Sequence, residues 1–221
     1  MTRNLMAEAL GSFFLFATVI GSGIMAEQLA GGNIAVALLG NTLATGAMLF
    51  VLITMLGPIS GAHFNPAVTL VMVLRGDLRW TALATYLPAQ LIGGILGVWA
   101  AHLMFGQPVI QFSEHSRTGT GQWVGEFIAT FGLVLTILGT VRMRPAAVPA
   151  SVALYITAAY WFTSSTSFAN PAITIARSLS NTFAGIAPVD VPGFVLAQLA
   201  GALAAAGVAR WLFPPIAFPP E

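Results

Sequence analysis

The tripeptide Asn-Pro-Ala occurs twice, at Asn65-Pro66-Ala67 and Asn170-Pro171-Ala172, each time opening a short apolar run in a chain that is apolar almost throughout. Asn is a strong helix N-cap and Pro is favoured at the first helical position, so each tripeptide marks where a helix begins. A helix start presents unpaired N–H groups and the positive end of a macrodipole, worth about half an elementary charge. Hydrocarbon satisfies no such donor, so starts at membrane depth must be buried in protein or line a watery cavity. Two of them imply a lumen where they meet, and the Asn side-chain amides add donors to it.

Membrane depth is implied by composition. Of 221 residues, 57% are hydrophobic and 7% charged. Soluble domains carry about a quarter charged residues, so the outside of this chain faces hydrocarbon, and the lipid bilayer is its first partner. A net charge of +1 without any lysine excludes a nucleic-acid partner and a polybasic membrane-surface patch. The lack of cysteine excludes disulfides, thiolate nucleophiles and cysteine-ligated metals. No three residues show metal-ligand spacing, so no metal or other cofactor is expected. The first apolar run contains Glu8 and is followed by further spans, so it reads as a membrane helix and not as a leader.

About 20 residues cross 30 Å of hydrocarbon. Stretches of that length lie near Leu5 to Met25, Ile34 to Leu56, Thr81 to Phe105, Trp123 to Val141, Ala147 to Ser164 and Pro192 to Phe213. Pro66 to Leu74 and Pro171 to Leu179 are too short and fit half-helices that dip in and stop. The expected fold is an all-α membrane protein with six transmembrane helices and two re-entrant half-helices. Residues 1–105 and 123–213 form two repeats joined by the polar loop 106–122, and a short Pro-rich tail, 214–221, follows.

Three landmarks recur in order: Glu8 in AEALGSF with Glu126 in GEFIATF, Asn65 in FNPAVTL with Asn170 in ANPAITI, and Gln90 in AQLIGG with Gln198 in AQLAGA. Three spans per half is odd, so the second copy is inverted and the half-helices approach from opposite faces. Small residues four apart, Ala7/Gly11, Gly93/Gly97, Gly125/Ala129 and Gly201/Ala205, allow close helix crossings. With both termini cytoplasmic, Arg3, Arg75, Arg79, Arg142, Arg144 and Arg210 lie inside and only Arg117 and Arg177 outside, as the positive-inside rule requires. Trp80, Trp123 and Trp211 fall near span ends, where an aromatic belt sits.

SGAHFNPAVT and SFANPAIT, with the Glu and Gln landmarks, resemble the aquaporin and aquaglyceroporin channels over essentially the whole chain. The resemblance implies a single channel domain, a homotetramer with one pore per subunit, and a pore centre at Asn65, Pro66, Ala67, Asn170, Pro171 and Ala172. Half-helix dipoles that repel protons and cations are a general property of such channels. In most of the family an arginine follows the second tripeptide and helps form the narrowest ring; here Ile173 stands there. Counting from the tripeptides, the family pattern puts Thr45, Ala158 and Ser167 at the other ring positions, with neither aromatic residue nor histidine. That set resembles a bacterial branch associated with arsenic resistance, which implies a bacterial inner membrane. The implied cargo is small and uncharged: glycerol-like polyols, neutral metalloid hydroxides such as arsenous acid, methylated arsenicals, and water. Arg177, one helical turn beyond Ile173, is the candidate outer-mouth charge against cations.

Glu8 and Glu126 sit inside predicted spans, where ionisable groups need a task. The favoured one is to accept hydrogen bonds from the irregular backbone beside each half-helix; proton coupling is the alternative and would make the chain a secondary transporter. A strictly water-selective aquaporin is the other alternative. His63 lines or braces the cytoplasmic approach, and Gln90 and Gln198 are expected to bind neighbouring backbone within the bundle. Ser60 and His63 are the one nucleophile–base proximity, but no glycine-framed nucleophile turn accompanies them, so no enzyme is expected.

Overall fold

An apolar chain in lipid must pair every backbone N–H and C=O within itself, which favours helices. The computed structural model describes residues 2–214, and all regular structure among them is helical. The tail beyond Pro214 lies outside the described residues. The spans are α1 (Thr2–Leu29), α2 (Ile34–Ser60), α4 (Thr81–Met104), α5 (Thr120–Met143), α6 (Val148–Phe162) and α8 (Val191–Leu212), the last two each preceded by a 3-10 turn. Between them lie the half-helices α3 (Pro66–Leu74) and α7 (Pro171–Arg177).

Three of the six spans, α1, α2 and α5, run past the apolar stretches expected, because hydropathy reports the hydrocarbon slab whereas caps decide where a helix stops. Asn33 opens α2 by accepting the N–H groups of Ala35 and Val36 at 3.1 and 3.2 Å. Gly61, at φ 90°, closes it. α6 instead stops short of Ser164, at extended Thr163, whose hydroxyl donates to the Ala159 carbonyl at 2.7 Å. The second half-helix ends at Arg177, not Leu179, where the Ser178 hydroxyl takes the Ile175 carbonyl at 2.7 Å.

The two repeats pack alike: α1 lies against α4 in the first, α5 against α8 in the second, and α2 against α6 joins them. A Cβ on Gly93 or Gly97 would overlap the backbone of Ala9 or Phe13 in α1, and one on Gly201 would overlap that of Phe127 in α5. Gly11 and Gly125 do a different job from the helix crossing expected of them. Gly11 makes room for the Phe64 ring, and Gly125 for the backbone at Ser165, both in loops that carry the half-helices. Each half-helix contacts both repeats, α3 packing on α4 and α8, and α7 on α8 and α4. The loop after α4 is tied down by Ser113 N–H on the Ser178 carbonyl (2.9 Å) and by Ala187 N–H on the His115 carbonyl (2.7 Å).

Replacing Gly97 by Leu should prevent the α1–α4 approach, since overpacking costs about 1–3 kcal/mol even where neighbours can shift, and backbone cannot. Thermal unfolding in detergent should show a large loss of Tm or aggregation, whereas Gly57→Ala, with nothing within 4 Å of the new methyl, should behave as the parent. An unchanged Tm for Gly97→Leu would contradict this packing.

Candidate pore

The chain leading into each half-helix alternates in a way that ordinary residues resist. Ala62 and Phe64 precede α3 at φ 52° and 49°; Thr166, Ser167 and Ala169 precede α7 at 60°, 51° and 49°. Left-handed backbone costs a non-glycine residue about 1–2 kcal/mol, and it leaves the loop N–H groups outside any helix ladder. The buried carboxylates meet those groups. Glu8 accepts from His63 N–H (3.0 Å), Phe64 N–H (2.8 Å), the Ser60 hydroxyl (2.6 Å) and the Gln90 amide (2.8 Å). Glu126 accepts from Phe168 N–H (2.8 Å), Ala169 N–H (2.9 Å) and the Gln198 amide (2.6 Å).

Gln90 and Gln198 therefore hold side chains, not the neighbouring backbone expected. Each also donates to a hydroxyl, Thr69 at 3.0 Å and Thr174 at 2.8 Å. Those threonines in turn donate to the carbonyls of Asn65 and Asn170, at 3.0 and 2.8 Å. With its only proton given to Asn65, Thr69 must accept from His63 Nδ1 at 3.1 Å, so the network assigns the proton to Nδ1. Ser60 gives its proton to Glu8 and is thus no nucleophile activated by His63.

At the centre the asparagines cap and cross. Asn65 Oδ1 accepts from Ala67 N–H at 2.9 Å, and Asn170 Oδ1 from Ala172 N–H at 2.9 Å. Asn65 Nδ2 donates to the Ala169 carbonyl and Asn170 Nδ2 to the Phe64 carbonyl, both at 2.7 Å. One amide hydrogen of each is thereby fixed across the repeats, and one remains for the lumen.

A cavity of about 230 Å3 runs past this centre, lined by both asparagines and by residues of both repeats. Thr45, Ser167, Ile173, His63 and Arg177 all face it. Ala158 does not: it is exposed on the outside of α6, which presents Val148, Val152, Ile156 and Tyr160 to the cavity. At about 100° per residue, a side chain two positions from either Ile156 or Tyr160 points to the opposite side. Tyr160, not Ala158, is the residue of this turn that lines the cavity, with its hydroxyl 3.4 Å from Thr45 Oγ1. Ser167 Oγ is buried and has no partner among the described residues.

Arg177 is buried, not at an open mouth, and its Nε donates to the Ala184 carbonyl. Its guanidinium lies 3.3 Å from the centroid of Phe168, a cation–π contact. Arg117, from the loop after α4, lies 5.2 Å from the same ring and donates to the Gly185 carbonyl at 2.7 Å. Burial lowers the Arg117 pKa, and Glu126 and Tyr160 pull it back up. The Arg75–Asp77 contact is the one salt bridge among the described residues, so Arg117 and Arg177 are held by carbonyls and a ring.

Helical spans in an inverted repeat, two half-helices meeting nose to nose and a cavity between them define a membrane channel. The family model for the major intrinsic proteins matches residues 1–166. The aquaglyceroporin AqpS of Rhizobium meliloti is 56% identical over 97% of this chain and 92% of its own length. Aquaporin Z of Photorhabdus laumondii is 31% identical over 70% of this chain and 73% of its own. The X-ray structure of the aquaglyceroporin from Plasmodium falciparum superposes with a TM-score of 0.76, covering 96% of this chain and 97% of that one, at 19% identity, which speaks to fold alone. The chain belongs to the major intrinsic protein family, multi-pass membrane channels for small solutes and not enzymes.

Replacing Glu126 by Gln puts an amide where loop N–H groups need acceptors, and a buried unsatisfied group costs about 1–3 kcal/mol. Thermal unfolding of Glu126→Gln and Glu8→Gln in detergent should show a lower Tm for both. A variant as stable as the parent would remove the loop-support role.

Proposed function

We infer that the protein is a passive channel for small uncharged hydroxylated solutes: glycerol-like polyols, neutral metalloid hydroxides such as arsenous acid with their methylated forms, and water. It works as a homotetramer in a bacterial inner membrane with both termini cytoplasmic, and excludes protons and ions. The observation that carries this reading is the make-up of the outer ring. Ile173 and Tyr160 supply apolar wall, while Thr45, Tyr160 and Ser167 supply hydroxyls. Such a ring suits a neutral solute with carbon or metalloid bulk and several O–H groups, each able to donate and accept. The name of the Rhizobium relative, an aquaglyceroporin, supports the same class.

Ion exclusion follows from the centre. The positive ends of α3 and α7 face one another there, and one free hydrogen on each of Asn65 and Asn170 donates to a passing oxygen. A water so held has its lone pairs occupied and cannot accept the next proton of a relay. Arg177 adds a positive charge at the lumen on the outer side, a guard against cations where the family arginine is replaced by Ile173.

Ile173→Arg should narrow the ring, so glycerol and arsenous acid flux into proteoliposomes falls at least fivefold while water flux persists. Stopped-flow light scattering and solute uptake measure this, and unchanged glycerol flux would contradict the ring assignment. Uptake should also rise linearly with concentration and ignore a pH gradient. Saturation with proton coupling would instead make the chain a carrier.

A further inference from the structure

A second cavity, of about 330 Å3, opens on the face where α1 begins and α8 ends. It shares no lining residue with the pore. Its walls are three arginines from three elements: Arg75 at the end of α3, and Arg142 and Arg210 in the last turns of α5 and α8. Leu138, Ala209 and Phe213 complete it as an apolar floor.

Three guanidinium groups around one opening repel each other unless an anion joins them. Among the described residues, only Arg75 has an acidic partner, Asp77 at 2.9 Å. Arg142 reaches no acid, but the Pro214 carbonyl at 3.3 Å. The other described acids are committed elsewhere: Glu8 and Glu126 hold the half-helix loops, and Glu27, Glu114 and Asp190 belong to the opposite face. Helix C-termini favour one nearby cation each, which explains why arginines stand at these ends. It does not explain their convergence on a single cavity, or the apolar floor beneath them.

A cationic rim above an apolar floor, at the end of membrane-spanning helices, matches an amphiphile with an anionic head. Arginine is suited to phosphate because its planar fork donates two parallel hydrogen bonds. Basic pockets between transmembrane helices bind lipid headgroups in this way. We propose that the Arg75–Arg142–Arg210 cavity binds the phosphate group of an anionic phospholipid, with Leu138, Ala209 and Phe213 receiving the start of its acyl chains. This site is independent of which solute crosses the pore.

The test uses the full chain in neutral detergent, titrated with dioctanoyl phosphatidylglycerol, dioctanoyl phosphatidylcholine or inorganic phosphate, and read by native mass spectrometry and thermal unfolding. Phosphatidylglycerol should bind saturably and raise Tm, and phosphatidylcholine and phosphate should bind at least tenfold more weakly. The double variant Arg142→Gln/Arg210→Gln should lose at least tenfold in affinity for phosphatidylglycerol. Arg3→Gln/Arg79→Gln, with the same charge change on the same face but off the cavity, should stay within twofold of the parent. Arg210→Gln alone, an exposed position, should lose severalfold and carries the test if the double variant misfolds. Absent or non-saturable phosphatidylglycerol binding, equal loss in the Arg3/Arg79 control, or phosphatidylcholine binding as tight as phosphatidylglycerol would overturn the proposal. Phosphate binding as tight as the lipid would also overturn it, in favour of a soluble oxyanion.

Discussion

Interrupting a helix halfway through a bilayer strands backbone donors where no water of the bulk can reach them, and the architecture of this channel answers that problem twice. A carboxylate is costly to bury, yet Glu8 collects four donors and Glu126 at least three, two of them loop N–H groups in each case, so the two costs offset each other. The glutamines and threonines then connect that network to the half-helix carbonyls. In each half the carboxylate meets two loop N–H groups and a glutamine amide, which is the geometry of an acceptor that supports the loop.

The inverted repeat also shows where the two halves diverge. The residue after each tripeptide is apolar, Val68 in one half and Ile173 in the other, and both line the cavity. Seven positions beyond the asparagines stand Met72 (65 + 7) and Arg177 (170 + 7), again both on the cavity. Two positions before them stand His63 and Phe168. Equivalent backbone therefore carries Met72 and His63 on one side of the centre and Arg177 on the other, with Phe168 serving as the platform on which Arg177 lies.

What could be read from the sequence was whatever the duplication repeats. Glu8 with Glu126, and Asn65 with Asn170, were visible because both loops need the same service. Thr69 with Thr174 and Ser60 with Ser165 carry the same signal, each pair standing at one distance from its asparagine. Ala158 failed for a physical reason. Counting back from Asn170 crosses the end of α6 and the irregular residues 163–169, and positive φ at Thr166 and Ser167 leaves no mark in the residue types. Only the four-residue spacing of Val148, Val152, Ile156 and Tyr160 shows which side of α6 faces inward. The C-terminal ends of α2 and α7 differ from the expected ones for a similar reason, since Gly61 and Ser178 set them and hydrophobic length does not.

The asparagine crossing has a consequence for how the chain can be divided. Asn65 closes on the Ala169 carbonyl and Asn170 on that of Phe64, so each half completes the other's loop and neither completes its own. A single three-helix fragment would keep an unmatched amide and an unmatched carbonyl at its most protected point. The smallest self-sufficient version of this architecture is hence a head-to-tail couple, whether the two members are fused in one polypeptide or supplied as separate pieces.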